Sequence, residues 1–271
     1  MIDMVTDIDR SPQHALSALV PSLATQIGGY LLLALLLFLI FWVLGERRFA
    51  ARRVQKIKRF GPKQLWHELR YTMATFLVSS VSVGAVLLLH QMGHTKLVDS
   101  PASLSLGPLA KNLMWLLGLT LCNDAWFYVW HRLLHTPTLF RIVHAVHHKS
   151  VDVNPFSSYS FHPLESFVLG AWIVPAALLL PIPMPVLGAA QVIGLFNNVY
   201  SHLGYELLPA WWIQTPMGRW LAGSTFHSMH HVKLSGNYGL FFRFWDKLLG
   251  TEVPGYEAAF VDRTLPRKRN E

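Results

Sequence analysis

The sequence predicts an all-α integral membrane protein, with about four to five membrane helices and a cytoplasmic, histidine-rich helical cap. Three observations carry that expectation. Apolar residues make up 52% of the 271-residue chain and charged ones only 14%, against roughly 25% charged in a soluble globular protein. Residues 11–45, 71–95 and 166–205 contain no Asp, Glu, Lys or Arg, and uncharged apolar runs of about 18 or more read as membrane spans. Ten of the fourteen histidines lie between His131 and His231, most of them in tight clusters beside those runs.

The first span is about Ile27–Leu44. Behind it stand Arg47, Arg48, Arg52, Arg53, Lys56, Lys58, Arg59, Lys63 and Arg70. Positive charge beside a span marks the cytoplasmic side, which puts loop 46–70 inside and the N-terminus outside. Such a cluster can also bind nucleic acid, but its place beside a span favours anionic lipid headgroups, and no nucleic-acid partner is expected. The acidic start MIDMVTDIDR lacks the basic region of a secretory signal. The second span, about Tyr71–Leu89, returns outward to a short loop with Pro101 and Gly107. The third, about Asn112–Trp130, comes back in and delivers His131 and His135 to the cytoplasmic face.

Residues 166–205 would be about 60 Å long as helix, enough for two passes. The stretch PIPMP (Pro181–Pro185) breaks them, because proline does not continue a helix. An outward limb, Ser166–Leu180, and an inward limb, Val186–His202, form either two spans or a re-entrant hairpin. Both ends return to the cytoplasmic side, where the rest of the chain, with its basic tail PRKR, is placed. Three segments follow: membrane helices with the basic loop (1–106), a histidine-bearing unit (107–251) and a basic tail (252–271).

The only cysteine, Cys122, excludes an intrachain disulfide and a cysteine-ligated metal site. The histidines follow a different logic. In HRLLH, His131 and His135 lie one helical turn apart. In HAVHH, His144 shares a face with His147 and His148, and in HSMHH, His227 does so with His230 and His231. Neutral imidazole is the commonest side-chain metal ligand. Eight rings exceed the four that one zinc-like ion takes, so two metals with four to five ligands each are expected. Zn, Cu, Fe and Ni all suit imidazole. The isolated His14, His67, His90 and His94 read as ordinary interfacial or hydrogen-bonded residues.

Other positions extend the site. His202 ends the last span and is a further ligand candidate. Asn198, four residues earlier, either mimics a second ligand through its amide oxygen or only hydrogen-bonds within the bundle. His162 precedes Pro163 and either ligates or hydrogen-bonds a ligand or Glu165. A ligating imidazole usually donates its other N–H. Asp124, two turns before His131 and the only acid in the third span, is expected to receive it from a histidine of the first cluster. Glu165 and Glu206 are similar candidates, with a solvated helix end as the alternative. Trp126, Phe127, Tyr128 and Trp130 read first as an interfacial aromatic belt and second as a channel lining.

HRLLH, HAVHH and HSMHH resemble the three histidine boxes of the fatty acid hydroxylase/sterol desaturase superfamily. The resemblance extends to NDAWFYVWHRLLH, YSFHPLE, NNVYSHLGYE and NYG…FWDKLLGT, in the family's order, and covers about Asn123 to Thr251. It implies a non-haem di-iron centre: two iron ions, with zinc able to replace them in purified protein, and O2 as co-substrate. The implied reaction is hydroxylation or desaturation of a membrane lipid such as a fatty acyl chain or sterol, with 107–251 as the catalytic domain. Each turnover takes two electrons. Neither G-x-G-x-x-G nor a P-loop is present, and no haem or flavin module is visible. A separate electron donor of ferredoxin, cytochrome b5 or reductase type is therefore implied. The rival reading is a histidine-rich metal-binding or metal-transporting membrane protein. Transport sites lie near the bilayer midplane, whereas here the histidines sit at helix ends and the spans hold only Asp124.

Overall fold

The structure is a computed structural model and describes residues 12–55, 60–99 and 106–264. Among these residues all regular elements are helical, and only isolated bridges such as Arg53–Tyr205 join extended backbone. The acidic N-terminus, Lys56, Lys58, Arg59, Pro101 and the PRKR tail lie outside the described residues.

Helix α1 (Pro12–Phe38) runs on into a π-helical turn at Leu39–Leu44. Helix α2 (Pro62–Gln91) starts on Pro62, whose missing N–H is harmless in a first turn. Leu23–Leu44 and Pro62–Gln91 are long and apolar enough to cross a membrane, with mean hydropathy 2.7 and 2.0. Only 22% and 33% of their most apolar windows are buried. A helix in a soluble core buries its apolar face; here Leu32, Leu36, Leu44, Leu77 and Val81 are exposed, as lipid permits and water does not. The chain is a membrane protein with these two candidate spans.

Helix α3 (Leu106–Leu134) is 29 residues long, but Lys111, Asn112, Asn123 and Asp124 lower its hydropathy. After it, Pro137–Leu139, a π turn at Phe140–His144 and Ala145–His148 form one compound helix, α4. The expected hairpin follows as α5 (Pro163–Gly170), α6 (Ile173–Leu179) and α7 (Met184–Ser201). Its proline tip is tied to the loop after α2: Val98 N–H donates to the Ile182 carbonyl at 2.9 Å, and Met184 N–H to the Val98 carbonyl at 3.0 Å.

The remaining helices are α8 (Ser224–Lys233), α9 (Phe244–Leu248) and α10 (Tyr256–Thr264). Residues 252–264 are not a free tail. Tyr256 meets Phe226 edge-on at 5.3 Å, and Phe226 and Phe260 are fully buried. The boundary expected after Thr251 therefore runs through a packed unit.

Two apolar clusters fix the helix ends. Tyr30, Phe76, Phe156 and Val199 join α1 and α2 to α7 and to the 3-10 turn Pro155–Tyr159. Leu119, Trp172, Ile173 and Ile182 join α3 to the hairpin. Together they bring the C-terminal ends of α3 and α7 against α4 and α8.

Candidate metal centre

Nine imidazoles converge at these helix ends in two adjoining groups. His131, His135, His144, His148 and His230 form one; His147, His202, His227 and His231 form the other. In the first group the Nε2 atoms lie 3.1–3.3 Å apart, for His131–His144, His135–His230, His135–His148 and His144–His148. In the second they lie 3.0–3.3 Å apart, for His147–His202, His202–His227 and His227–His231. The groups touch through His148 and His231, whose ring centroids are 4.6 Å apart.

Helix geometry explains the allocation. Residues four apart stay on one face, so His131/His135 and His144/His148 enter the first group and His227/His231 the second. The odd member of each triplet crosses over: His147 joins the second group and His230 the first. The expected pairing of His144 with both His147 and His148 is corrected accordingly. A residue three positions along turns to the other side of the face from one four along, and each helix lies between the two groups.

Most first-group rings are held from behind. Nδ1 of His135 donates to the Leu234 carbonyl at 3.0 Å, Nδ1 of His230 to Gly236 at 2.7 Å, and Nδ1 of His131 to Tyr238 at 2.8 Å. One short turn after α8 supplies all three acceptors. Its backbone is unusual: Leu234, Gly236 and Asn237 have φ of 59°, 77° and 54°, a region that a bulky residue such as leucine rarely occupies. The Asn237 side chain braces the turn, donating to the Phe226 carbonyl at 2.9 Å and accepting from Val253 N–H at 2.7 Å. His144 donates to Glu165 at 2.7 Å, with both groups buried. The second group is held more loosely. Nδ1 of His202 donates to the Asn198 carbonyl at 2.8 Å. His147 has only a loose approach to the Ser160 main chain, and Nδ1 of His227 and His231 has no partner among the described residues.

This arrangement fits metal ions. A ring that donates through Nδ1 to a carbonyl or carboxylate carries its lone pair on Nε2. In His131–His144 and His135–His230 two such lone pairs face each other at 3.2 and 3.1 Å with no proton to share. Protonation is opposed as well. Burial and neighbouring imidazoles push His131, His144, His147, His227 and His231 well below the usual imidazole range. Burial also brings His135 down to about 4 and His230 to about 3. Buried, neutral, converging lone pairs call for a cation.

The other candidates fall outside the two groups. His162 caps α5, with Nδ1 accepting from Leu164 N–H at 3.2 Å. Asn198 serves the site through its backbone, while its carboxamide donates to the Ser158 carbonyl at 2.8 Å. Asp124 does not meet a histidine. One of its oxygens accepts from the main-chain N–H of Leu240, Phe241 and Phe242 at 2.7–3.4 Å, locking down the strand of chain after Tyr238. Glu206 is buried and accepts from Tyr200, Leu208 and Thr225. Its solvated-end reading fails with its expected histidine contact. Of the three acids, only Glu165 holds a ring. Sequence reading missed the turn 234–238, whose one signal is Gly236–Asn237 directly behind a histidine pair.

A cavity of about 820 Å³ lies among α1, α2, α3, α5 and α7. Two of its lining rings touch the imidazoles: Phe127 is 4.9 Å from His131, and Phe161 is 4.7 Å from His147. The cavity thus ends against one histidine from each group.

Comparison with known proteins agrees with this picture. Residues 116–251 match the fatty acid hydroxylase family. Methylsterol monooxygenase 1 of Gallus gallus is 32% identical over 135 residues, covering 50% of this chain and 45% of that protein. Methylsterol monooxygenase 1 of Rattus norvegicus is 32% identical over 139 residues, covering 51% and 46%. Delta(7)-sterol 5(6)-desaturase erg3B of Aspergillus fumigatus is 29% identical over 199 residues, covering 70% and 55%. The chain spans about half the length of these curated relatives. No solved structure matches it.

Proposed function

Because the chain belongs to the fatty acid hydroxylase family, we propose that it carries out O2-dependent hydroxylation or desaturation of a C–H bond in a membrane lipid, at two iron ions held by the nine grouped histidines. His131, His135, His144, His148 and His230 would hold one ion, and His147, His202, His227 and His231 the other. The observation that carries this reading is the pair of converging Nε2 sets, buried and deprived of shared protons, at the end of an apolar cavity. When bound, the iron pair supplies the activation of O2 that breaks an unactivated C–H bond.

The chain supplies binding, orientation and exclusion of water. Leu32 and Leu36 of α1 and Val192 and Phe196 of α7 line the cavity and are also exposed on the outside of the bundle. A lipid can therefore enter sideways from the bilayer. Phe127 and Phe161 close the cavity's inner end and shape which carbon approaches the histidines. The turn 234–238 and Glu165 fix ring orientation by holding Nδ1–H, leaving each Nε2 directed inward.

In this reading 107–251 is the catalytic domain and 1–106 supplies membrane helices. The α5–α7 hairpin enters the bilayer from the histidine side, and four to five helices contact the membrane. The basic residues after α1 support an orientation with that side in the cytoplasm and the N-terminus outside. Forming an alcohol and water from a C–H bond and O2 takes two electrons and two protons, so a ferredoxin, cytochrome b5 or reductase-type donor is the expected partner. The names of the relatives make sterols the first lipids to test. Lipids are profiled by mass with and without the expressed chain, under O2. An added oxygen or a lost hydrogen pair, absent in His147→Ala, is the expected result. Unchanged lipids together with zinc-only protein would contradict it.

A further inference from the structure

The chain after Tyr238 runs back along α3. Asp124, ten residues before the end of that helix, accepts the main-chain N–H groups of Leu240, Phe241 and Phe242. Tyr128, six residues before the end, shares a hydrogen bond with the Thr251 hydroxyl at 2.9 Å, and its ring lies 6.3 Å from that of Trp245. Ten residues of helix span about 15 Å. Residues 240–251 therefore lie beside the last turns of α3, on the membrane side of His131 and His135. The face they cover continues along α3 as Leu121, Leu117 and Met114, at helical spacing from Tyr128. These three are 44%, 58% and 75% exposed. Such a bare apolar stripe suits lipid, and the C-terminal chain sits at its end.

The outer side of this chain is apolar too. Phe244 and Leu248 lie four apart on α9 and are exposed, as is Trp220, whose ring is 6.0 Å from that of Phe244. The other side of α9 is turned inward by Asp246, which accepts from the N–H groups of Tyr238 and Gly239. Cations flank the patch. Lys247 Nζ lies 5.4 Å from the centre of the Trp220 ring, and Arg132 donates to the Tyr128 hydroxyl at 3.3 Å. A clustered apolar patch on a surface marks an interaction site. Tryptophan beside lysine and arginine, with their stems along apolar surface, is the composition of a membrane–water interface.

We propose that Trp220, Phe244 and Leu248 insert into the headgroup region of the bilayer, making residues 217–249 a monotopic anchor and not a free cytoplasmic cap. The occupant is lipid because the patch continues the stripe of α3. This rests on the reading above that α3 contacts the membrane. The same piece of chain supplies the Tyr238 carbonyl behind His131, so the anchor holds the first histidine group at the bilayer surface.

Because Cys122 is the only cysteine, single sites can be labelled. The full chain carrying Cys122→Ser and Leu248→Cys is labelled with a small polarity-sensitive fluorophore. It is reconstituted in phosphatidylcholine/phosphatidylglycerol vesicles, some of whose lipids bear a nitroxide near the top of the acyl chain. Thr138→Cys, exposed and beyond the end of α3, is the comparison. The label at Leu248 should emit to the blue of that at Thr138 and be quenched by the nitroxide lipids several-fold more strongly. If Leu248→Cys fails to fold, Phe244→Cys carries the test with the same expectation. Quenching no stronger than at Thr138 would overturn the proposal. So would a blue-shifted label that the lipids do not quench, since a second copy or a protein partner would then cover the patch. Labelled Cys122 of the wild type reports separately on whether α3 meets lipid. The assay needs no turnover: quenching without lipid oxidation would sink only the oxygenase reading, and oxidation without quenching only this one.

Discussion

The two histidine groups differ in number and in how firmly they are held. The first has five rings, four of them anchored through Nδ1, three on one strained turn and one on a buried glutamate. The second has four rings and one firm anchor, the Asn198 carbonyl behind His202. Pre-set rings lose little freedom when an ion binds, whereas free rings must be ordered at that moment. The first group is therefore built for retention. The second would hold an ion with fewer ligands and a geometry free to adjust.

This contrast predicts unequal mutants. His227→Ala leaves three rings in the second group and should cut lipid oxidation at least 100-fold, read as product per chain by mass. His230→Ala leaves four rings in the first and should cost less; equal losses would break the comparison. Glu165→Gln replaces the buried carboxyl group behind His144. It should weaken binding of the first ion by about 10–100-fold, measured by competition with a chelator, and leave the second ion unaffected.

Asp124→Ala tests the scaffold instead of the ligands. Three main-chain N–H groups lose a buried acceptor, which should cost about 2–3 kcal/mol, seen as a lower thermal midpoint with metal stoichiometry unchanged. The smallest and most gradual effect is that of pH on metal-free protein. His135 and His230 are held at about 4 and about 3, but in the unfolded chain they titrate near ~6.5. Above that pH neither state binds the protons and nothing is lost. Below it the unfolded chain takes up protons that the fold excludes, so stability should fall steadily until the folded values are reached. Buried carboxyls such as Glu206 are shifted upward and act in the opposite sense, so the reading is the thermal midpoint of metal-free wild type minus that of metal-free His135→Phe; a difference that grows on acidification from pH 6.5 to 4 would contradict this assignment.

The histidines were legible because their gaps of three and four residues are a helical code. That code leads to an expectation of two ions with four to five ligands each; the described residues bring nine rings together in groups of five and four. It does not say which ring crosses over, because the facing of α4 depends on a π turn at Phe140–His144 and on where α8 docks. The anchors were less legible still. Leu234, Gly236 and Tyr238 act through carbonyls, which every residue has, and only the left-handed turn aims them. Asp124 was legible as a buried acid that needs partners, but those partners lie more than a hundred residues away at Leu240–Phe242. The same limit applies to Glu206. The hairpin could be read from its proline break, since proline acts locally.

The central proposal is two ions on nine histidines, with unequal grip. It is tested most directly by counting iron bound per chain after anaerobic loading of the full-length protein, with His227→Ala alongside. The expected result is close to two per chain in the wild type and close to one in the variant. A single ion in the wild type, or loss of both ions in the variant, would contradict it.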